Sequence, residues 1–380
     1  MGRRAGREAR GGTTAAAPQV LRPRQGRFPQ PPAHLALAAL LLLAGYYAAL
    51  ALGWLPPLGE EGLAGGSLPD AIRREAVARM ARALPVLAEE RAKRGFPLDP
   101  VADPNRTGLI GVEFTEITTT MGDPVAKRTA ANPQWAGVLA EELWRAGARP
   151  GDVAAATLSG SFPGLNLAVF AAADALELHL AAVASLGASM WGANLPLWTW
   201  ADMERTLWEK GLIGQRSLAY ALGGEGDRGG GLLPEGVEAL RAAVDRSGVP
   251  LLAAEGGSAS PEGASLQGAN PAARDLENAV QARLELFDEV AARHGARIAA
   301  CVNVGGGQAA LGRCPAMLAL PPGLNLPQEV PACGPEAEAG VLSRMAGRGV
   351  PVIHLLNIRE LALRSGLPID PVPFPEVIPP

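Results

Sequence analysis

The chain has 380 residues, enough for one large or two modest domains with a buried core. Nearly half of it is apolar (48%), and a net charge of -4 with 19% charged residues gives no basic signature, so no nucleic-acid partner is expected. Glycine (47) and proline (34) punctuate periodic segments rather than replacing them, which excludes a wholly disordered or collagen-like chain.

Residues 1–33 carry Arg3, Arg4, Arg7, Arg10, Arg22, Arg24 and Arg27 against Glu8 alone, and read as a disordered basic tail. The stretch Leu35–Leu55, LALAALLLLAGYYAALALGWL, follows: 21 residues without a charge. At helical rise it spans roughly 30 Å of hydrocarbon, so residues 34–55 read as one transmembrane helix. Tyr46, Tyr47 and Trp54 supply interfacial anchors, and Pro56–Pro57 stop the helix. The first charges beyond it are Glu60 and Glu61. The positive-inside rule then puts the N-terminus in the cytoplasm and the main domain outside. The run exceeds the roughly 7–15 residues of a signal-peptide core and lacks a clean small-x-small cleavage site, which favours an uncleaved anchor.

Residues 56–69 read as a linker, and 70–380 as one α/β domain. Asp70–Arg94 has helical spacing in Ile72, Ala76, Met80, Leu84 and Leu87, with a bend expected at Pro85. Asn132–Pro133 opens a helix with Trp135, Val138, Leu139 and Leu143 on its apolar face, ended by Gly147. Strands are expected at 152–158, 179–186, 216–222, 249–255, 297–304 and 350–358, mostly separated by helical segments such as the one from Pro163 and the one capped by Thr199 and Asp202. Near-continuous apolar strands alternating with helices imply a mainly parallel sheet with helices on both faces. Function in such sheets gathers at the carboxyl ends of the strands.

One of those ends reads SGSFPGLNLA, residues 159–168. Ser159, Gly160, Ser161 and Asn166 lie at a strand-to-helix turn with backbone N–H groups suited to an anion, and Ser161 is also the nucleophile candidate. The order Gly160-Ser161-Phe162-Pro163-Gly164 is not that of a nucleophile elbow. PGLNL recurs at Pro322–Leu326, where flanking prolines suggest an irregular loop. The loop NVGGGQAALG presents Gly305, Gly306 and Gly307 as an amide cradle without the dinucleotide fingerprint, because Ala310 takes the last glycine place. GGEGDRGGG offers Asp227, with Arg228 as a bidentate carboxylate clamp. The polar strip 115–133 offers Thr118, Thr119, Lys127 and the neighbouring hydroxyls, in no phosphate-loop order.

Of four histidines, only His354 stands near a strand end, either as a general base or as a hydrogen-bonded core residue. Trp191, Trp198 and Trp200 with Asn194 form a binding rim or a packed loop. The three cysteines, Cys301, Cys314 and Cys333, have no metal spacing, so neither a metal nor another cofactor is expected. Their odd count favours three unpaired thiols; Cys314 and Cys333 are the pair that would close a loop in an oxidising space.

The segments DPNRTGLIGVEFTEITTTMGDPVAKRTAANP, SGSFPGLNLAV, SLGASMWGAN, GGEGDRGGGL, NVGGGQAALG, PPGLNL and GVPVIHLLNI together resemble the poly-gamma-glutamate system protein family of bacteria, over about residues 70–375. The resemblance implies a part in polymer biosynthesis or export beside a glutamate ligase and other membrane subunits, and it brings no catalytic residues with it. The expected role is an anchored accessory domain that binds or guides poly-γ-glutamate or another carboxylate ligand. Two alternatives stand beside it. One is a hydrolase or transferase of γ-glutamyl amides with Ser161 or a threonine of 118–120 as nucleophile and His354 as base; the other is a cytoplasm-facing nucleotide-binding regulatory subunit.

Overall fold

A computed structural model describes residues 67–252, 271–333 and 338–377. The expected tail, membrane helix and most of the linker lie outside them. Among the described residues no helix is long and apolar enough to cross a membrane.

Residues 63–380 form one compact unit. It opens with helix α1 (Asp70–Lys93), which continues through the exposed Pro85 and buries Ala76, Met80, Ala83, Leu84 and Leu87 along one stripe. After a long connection come strand β1 (Thr118–Thr120), helix α2 (Pro124–Ala130) and helix α3 (Gln134–Arg145). Asp123 caps α2, its carboxylate accepting the Val125 N–H at 3.0 Å. The alternation follows: β2 (Val153–Ser159), α4 (Pro163–Ala175), β3 (His179–Ser185), β4 (Ala188–Ser189), α5 (Trp200–Glu209), β5 (Ala219–Ala221), α6 (Pro234–Ser247) and α7 (Pro271–His294). It ends with β6 (Ile298–Val304), α8 (Gln308–Leu311), β7 (Gly323–Asn325), α9 (Val341–Gly347), β8 (Val352–Leu355) and α10 (Ile358–Arg364).

Six strands form one sheet in the order β5-β3-β2-β6-β8-β7, parallel except for β7. The chain builds outward from β2 through β3 to β5, then crosses back to lay β6 on the other side of β2. That reversal is the topological switch point. Alternate residues face opposite layers, as a doubly covered sheet requires. Ala154, Ala156, Leu158, Ala182, Ala184, Ala300 and Val302 join the core with α1, α3 and α4, while Val153, Ala155, Ala181, Val183 and Cys301 join the core with α7 and α9. Small alanines on β2 and β3 let helices approach both faces closely.

Three expectations change. The second PGLNL copy is not an irregular loop: Gly323–Asn325 pairs antiparallel with β8 as an edge strand, where flanking prolines are tolerated, and the Asn325 amide donates to Pro321 O and Gly323 O. The strand expected at 216–222 is only Ala219–Ala221, and of 249–255 the described part pairs through a single bridge, Tyr220 with Leu251. Cys314 and Cys333 are joined as a disulfide, Cα atoms 5.8 Å apart, leaving Cys301 as the buried free thiol. The apolar environment of Cys301 pushes its pKa up to about 12.

Candidate functional site

A cleft of about 670 Å³ opens at the carboxyl ends of β2 and β6, where the strand order reverses. Its wall gathers Thr119, Thr120, Asp123 and Lys127 from the polar strip, Ser159, Ser161 and Phe162 after β2, and Ser185, Gly187 and Ser189 after β3. Gly223, Gly224, Glu225 and Asp227, then Gly306, Gly307 and Gln308 after β6, and Asn357 and Arg359 after β8 complete it. Four stretches singled out in the sequence thus converge.

The turn after β2 owes its shape to close packing. A Cβ at Gly160 would meet Leu186 O at 2.4 Å, so no side chain fits there. Gly305, at φ +85°, lets the β6 loop pass directly over the Ser159 side chain. The turn is not an anion cradle, however. Gly160 N–H donates to Ser185 O, Ser161 N–H to Ser159 Oγ, and Phe162 N–H to Ser159 O, so these donors are already taken. Asn166 is buried and holds Ser159 O through its Nδ2 at 2.9 Å.

A cation sits beside this turn instead. Lys127 is 4% exposed, with Nζ 2.5 Å from Ser161 O, 2.6 Å from Ser189 Oγ and 3.6 Å from the Phe162 ring centroid. No carboxylate touches it among the described residues; Asp123 acts from a distance while pairing with Arg359 at 2.7 Å. Burial without a counterion drives the Lys127 pKa down from 10.5 to about 7, with Asp123 opposing. Ser189 is fixed from two sides. Its N–H donates to Ser161 Oγ at 3.0 Å, and β4 pairs parallel with β1 through Thr120 and Ser189.

Beneath the cleft floor lies a buried polar band. Asp227, with φ 61° in its glycine-rich loop, pairs with Arg283 of α7 at 2.5 Å; both are buried, and Ser185 Oγ donates to Asp227 Oδ1 at 2.7 Å. Thr157, Asn303 and His354 are neighbours across β2, β6 and β8. Thr157 Oγ1 donates to Asn303 Oδ1 at 3.0 Å, and Asn303 Nδ2 lies 2.8 Å from Gly305 O and 3.0 Å from His354 Nδ1.

Of the residues singled out, Ser159, Ser161, Thr119, Lys127, Asp227, Gly306 and Gly307 therefore line the cleft. Others support it from behind. Gly160 and Gly305 shape the turns, Asn166 holds the turn carbonyl, and Thr118 is buried, accepting the Thr115 N–H and an Asn194 amide hydrogen. Two are misplaced by the sequence reading. Arg228 does not line the cleft but pairs with Asp275 at 2.7 Å. His354 is no base for Ser161: it is buried against Asn303 and lines a neighbouring cavity with Pro321 and Pro322, and burial lowers its pKa to about 4. Trp198 and Trp200 are core rather than rim, donating to Gly108 O and Glu204, and the half-buried Trp191 packs against that core. Ser189 and Arg359 escape sequence reading. The one hint for Ser189 is a serine just past an apolar strand in a chain with only three lysines.

The fold and site together define a doubly wound α/β protein with a cleft at its switch point. No family model, curated protein or solved structure matches the chain. The groups of His, Cys, Asp and Glu among the described residues include none arranged to hold a metal.

Proposed function

We propose that this chain is a membrane-anchored, extracytoplasmic component of a poly-γ-glutamate biosynthesis or export system, and that its switch-point cleft binds a carboxylate-bearing γ-glutamyl segment. The position of the cleft carries the reading: about 670 Å³ of space at the carboxyl ends of β2 and β6, lined by both polar and apolar groups. Donors for a ligand are present. The N–H groups of Gly306 and Gly307 find no protein acceptor among the described residues, and Arg359 lines the wall half-exposed, able to exchange Asp123 for a ligand carboxylate. Asp123, Glu225 and Asp227 in the same wall argue against a broad polyanion track, so recognition is of a short segment.

The Cys314–Cys333 disulfide supports an oxidising compartment outside the membrane, and weighs against the cytoplasm-facing nucleotide-binding alternative. The family resemblance supplies the polymer. Titration calorimetry of the full chain in detergent with γ-glutamyl oligomers at low salt tests the binding. Arg359→Ala is expected to weaken it about tenfold, the contribution of one charge-assisted pair, while Arg228→Ala leaves it unchanged. Absence of binding, or the reverse order of the two variants, removes the reading. A carboxyl-terminal reporter active only in the cytoplasm removes the placement.

A further inference from the structure

We propose that the cleft is an acyl-transfer site in which Ser189 is the nucleophile and Lys127 its general base, acting on an amide or ester carbonyl of a carboxylate-bearing substrate. The proposal rests on the reading of the cleft as the ligand site, and adds chemistry to it.

Burial and geometry carry the inference. Of the three lysines, Lys93 and Lys210 are exposed, whereas Lys127 is 4% exposed and touches only neutral partners. Other buried ionisable groups are engaged by the protein itself. Glu204 accepts from Ser217 and Trp200, Asp227 faces Arg283, and His354 meets Asn303. Ser185 does donate to Asp227 in the cleft, but that carboxylate is held by the Arg283 guanidinium at 2.5 Å, which weakens it as a base. Lys127 and Ser189 pair a base with a nucleophile: both line the cleft, 2.6 Å apart, and Ser189 is 6% exposed.

In the structure Nζ donates to both Ser161 O and Ser189 Oγ. As a free amine it keeps two N–H groups and one lone pair. Ser161 O can only accept one N–H, and the 2.6 Å contact to Ser189 Oγ is within reach for the hydroxyl to donate into the lone pair once the ammonium proton is lost. The lowered pKa of Lys127, about 7, keeps the amine present near neutrality. Ser161, whose Oγ accepts the Ser189 N–H, is a positioning residue.

The steps balance as follows. Ser189 Oγ attacks the carbonyl carbon while its proton passes to Nζ, giving a tetrahedral adduct and a Lys127 ammonium. The C–N or C–O bond breaks, and the leaving amine or alcohol takes that proton, leaving an ester on Ser189. Water, or an incoming amine, then gives its proton to Nζ and attacks the ester carbonyl. Ser189 Oγ departs and recovers the proton. Hydrolysis consumes one water; transfer to an amine makes a new amide.

The test uses the full chain in detergent, with a tagged fluorophosphonate and with γ-glutamyl p-nitroanilide. Mass spectrometry is expected to find the phosphonyl group on Ser189, with fluoride lost. Ser189→Ala should abolish labelling and turnover, and Lys127→Met should lower both at least 100-fold. The rate should rise with pH through an apparent pKa near 7 in the wild type, and lose that inflection in Lys127→Met. As a check independent of turnover, Ser189→Cys should be alkylated by iodoacetamide at pH 7 at least tenfold faster than the Ser189→Cys/Lys127→Met double variant. Labelling at another residue, no labelling, or full turnover by Ser189→Ala overturns the proposal. The two readings fail separately: oligomer binding without labelling removes the chemistry and leaves the binding cleft, whereas loss of both removes the cleft itself.

Discussion

Replacing Lys127 by methionine should stabilise the protein at neutral and acid pH. The side chain is buried, and its pKa falls from 10.5 to about 7. At ~1.4 kcal/mol per unit, holding the ammonium in the folded state costs up to about 5 kcal/mol below pH 7. Methionine removes that cost and keeps most of the apolar stem, but it forfeits the bonds to Ser161 O and Ser189 Oγ and the contact with Phe162, about 2 kcal/mol together. The net expectation is a gain of about 2–3 kcal/mol near pH 6.5. The sign then turns with pH. Between 7 and 10.5 the folded state has released the proton that the unfolded chain still binds, so wild-type stability rises relative to the variant. Near pH 10 the variant should be the less stable of the two, by about 1 kcal/mol. Urea unfolding of both proteins at pH 6.5, 8 and 10, followed by circular dichroism, measures the difference. A variant less stable at pH 6.5, or a difference that does not move with pH, refutes the account of Lys127 as a buried, uncompensated amine.

Other outcomes follow from the same packing. The folded-state pKa of His354 lies near 4, so stability is fully present above pH 6.5 and falls by about 3 kcal/mol as the pH drops to 4; His354→Gln should flatten that slope in acid unfolding curves. Asp227→Ala leaves Arg283 buried without its partner and should cost about 3–5 kcal/mol in urea unfolding, with much of the loss recovered in Asp227→Ala/Arg283→Met. Reducing the Cys314–Cys333 bridge, whose cysteines are 19 residues apart, should lower stability by about 3 kcal/mol, read as a lower unfolding midpoint in dithiothreitol. Intact protein should meanwhile show no reactive thiol until it unfolds, since Cys301 is buried. Thr199→Ala should cost about 1 kcal/mol, because the Thr199 hydroxyl donates to the buried Asp202 Oδ2 at 2.8 Å at the start of α5, beside the Thr199 N–H.

The sheet was legible where strands are long and doubly buried. Val153–Ser159, His179–Ser185 and Ile298–Val304 are apolar runs bounded by turn residues, and local pattern suffices for them. The short elements were not. Thr118–Thr120 and Ala188–Ser189 are strands only because they pair with each other across 70 residues of chain, and Gly323–Asn325 only because β8 offers an edge. Ser189 was hidden for the same reason: its partner on β1 and its base on α2 are brought to it by tertiary contacts that no local period records. Arg228 has the right chemistry in the right segment but is taken up by Asp275, whereas His354 meets the hydrogen-bonded core alternative rather than the base.

The site's economy of charge follows from this layering. On the floor the charges face partners: Asp227 meets Arg283 and Ser185, and His354 lies beside Asn303. Such a matched layer resists rearrangement, because breaking any pair exposes a buried charge to an apolar core. The floor thereby holds the loops after β2 and β6 in fixed positions around the cleft, with Gly305 lying over Ser159. Lys127 is the exception set on that rigid base, a buried amine with neutral partners and a serine hydroxyl at 2.6 Å. A purely structural lysine at this position would be improved by a carboxylate neighbour or by replacement with an apolar residue. Keeping the amine unpaired makes sense where its lone pair is needed, and that is why the stability gain in Lys127→Met and the loss of labelling in the same variant should appear together.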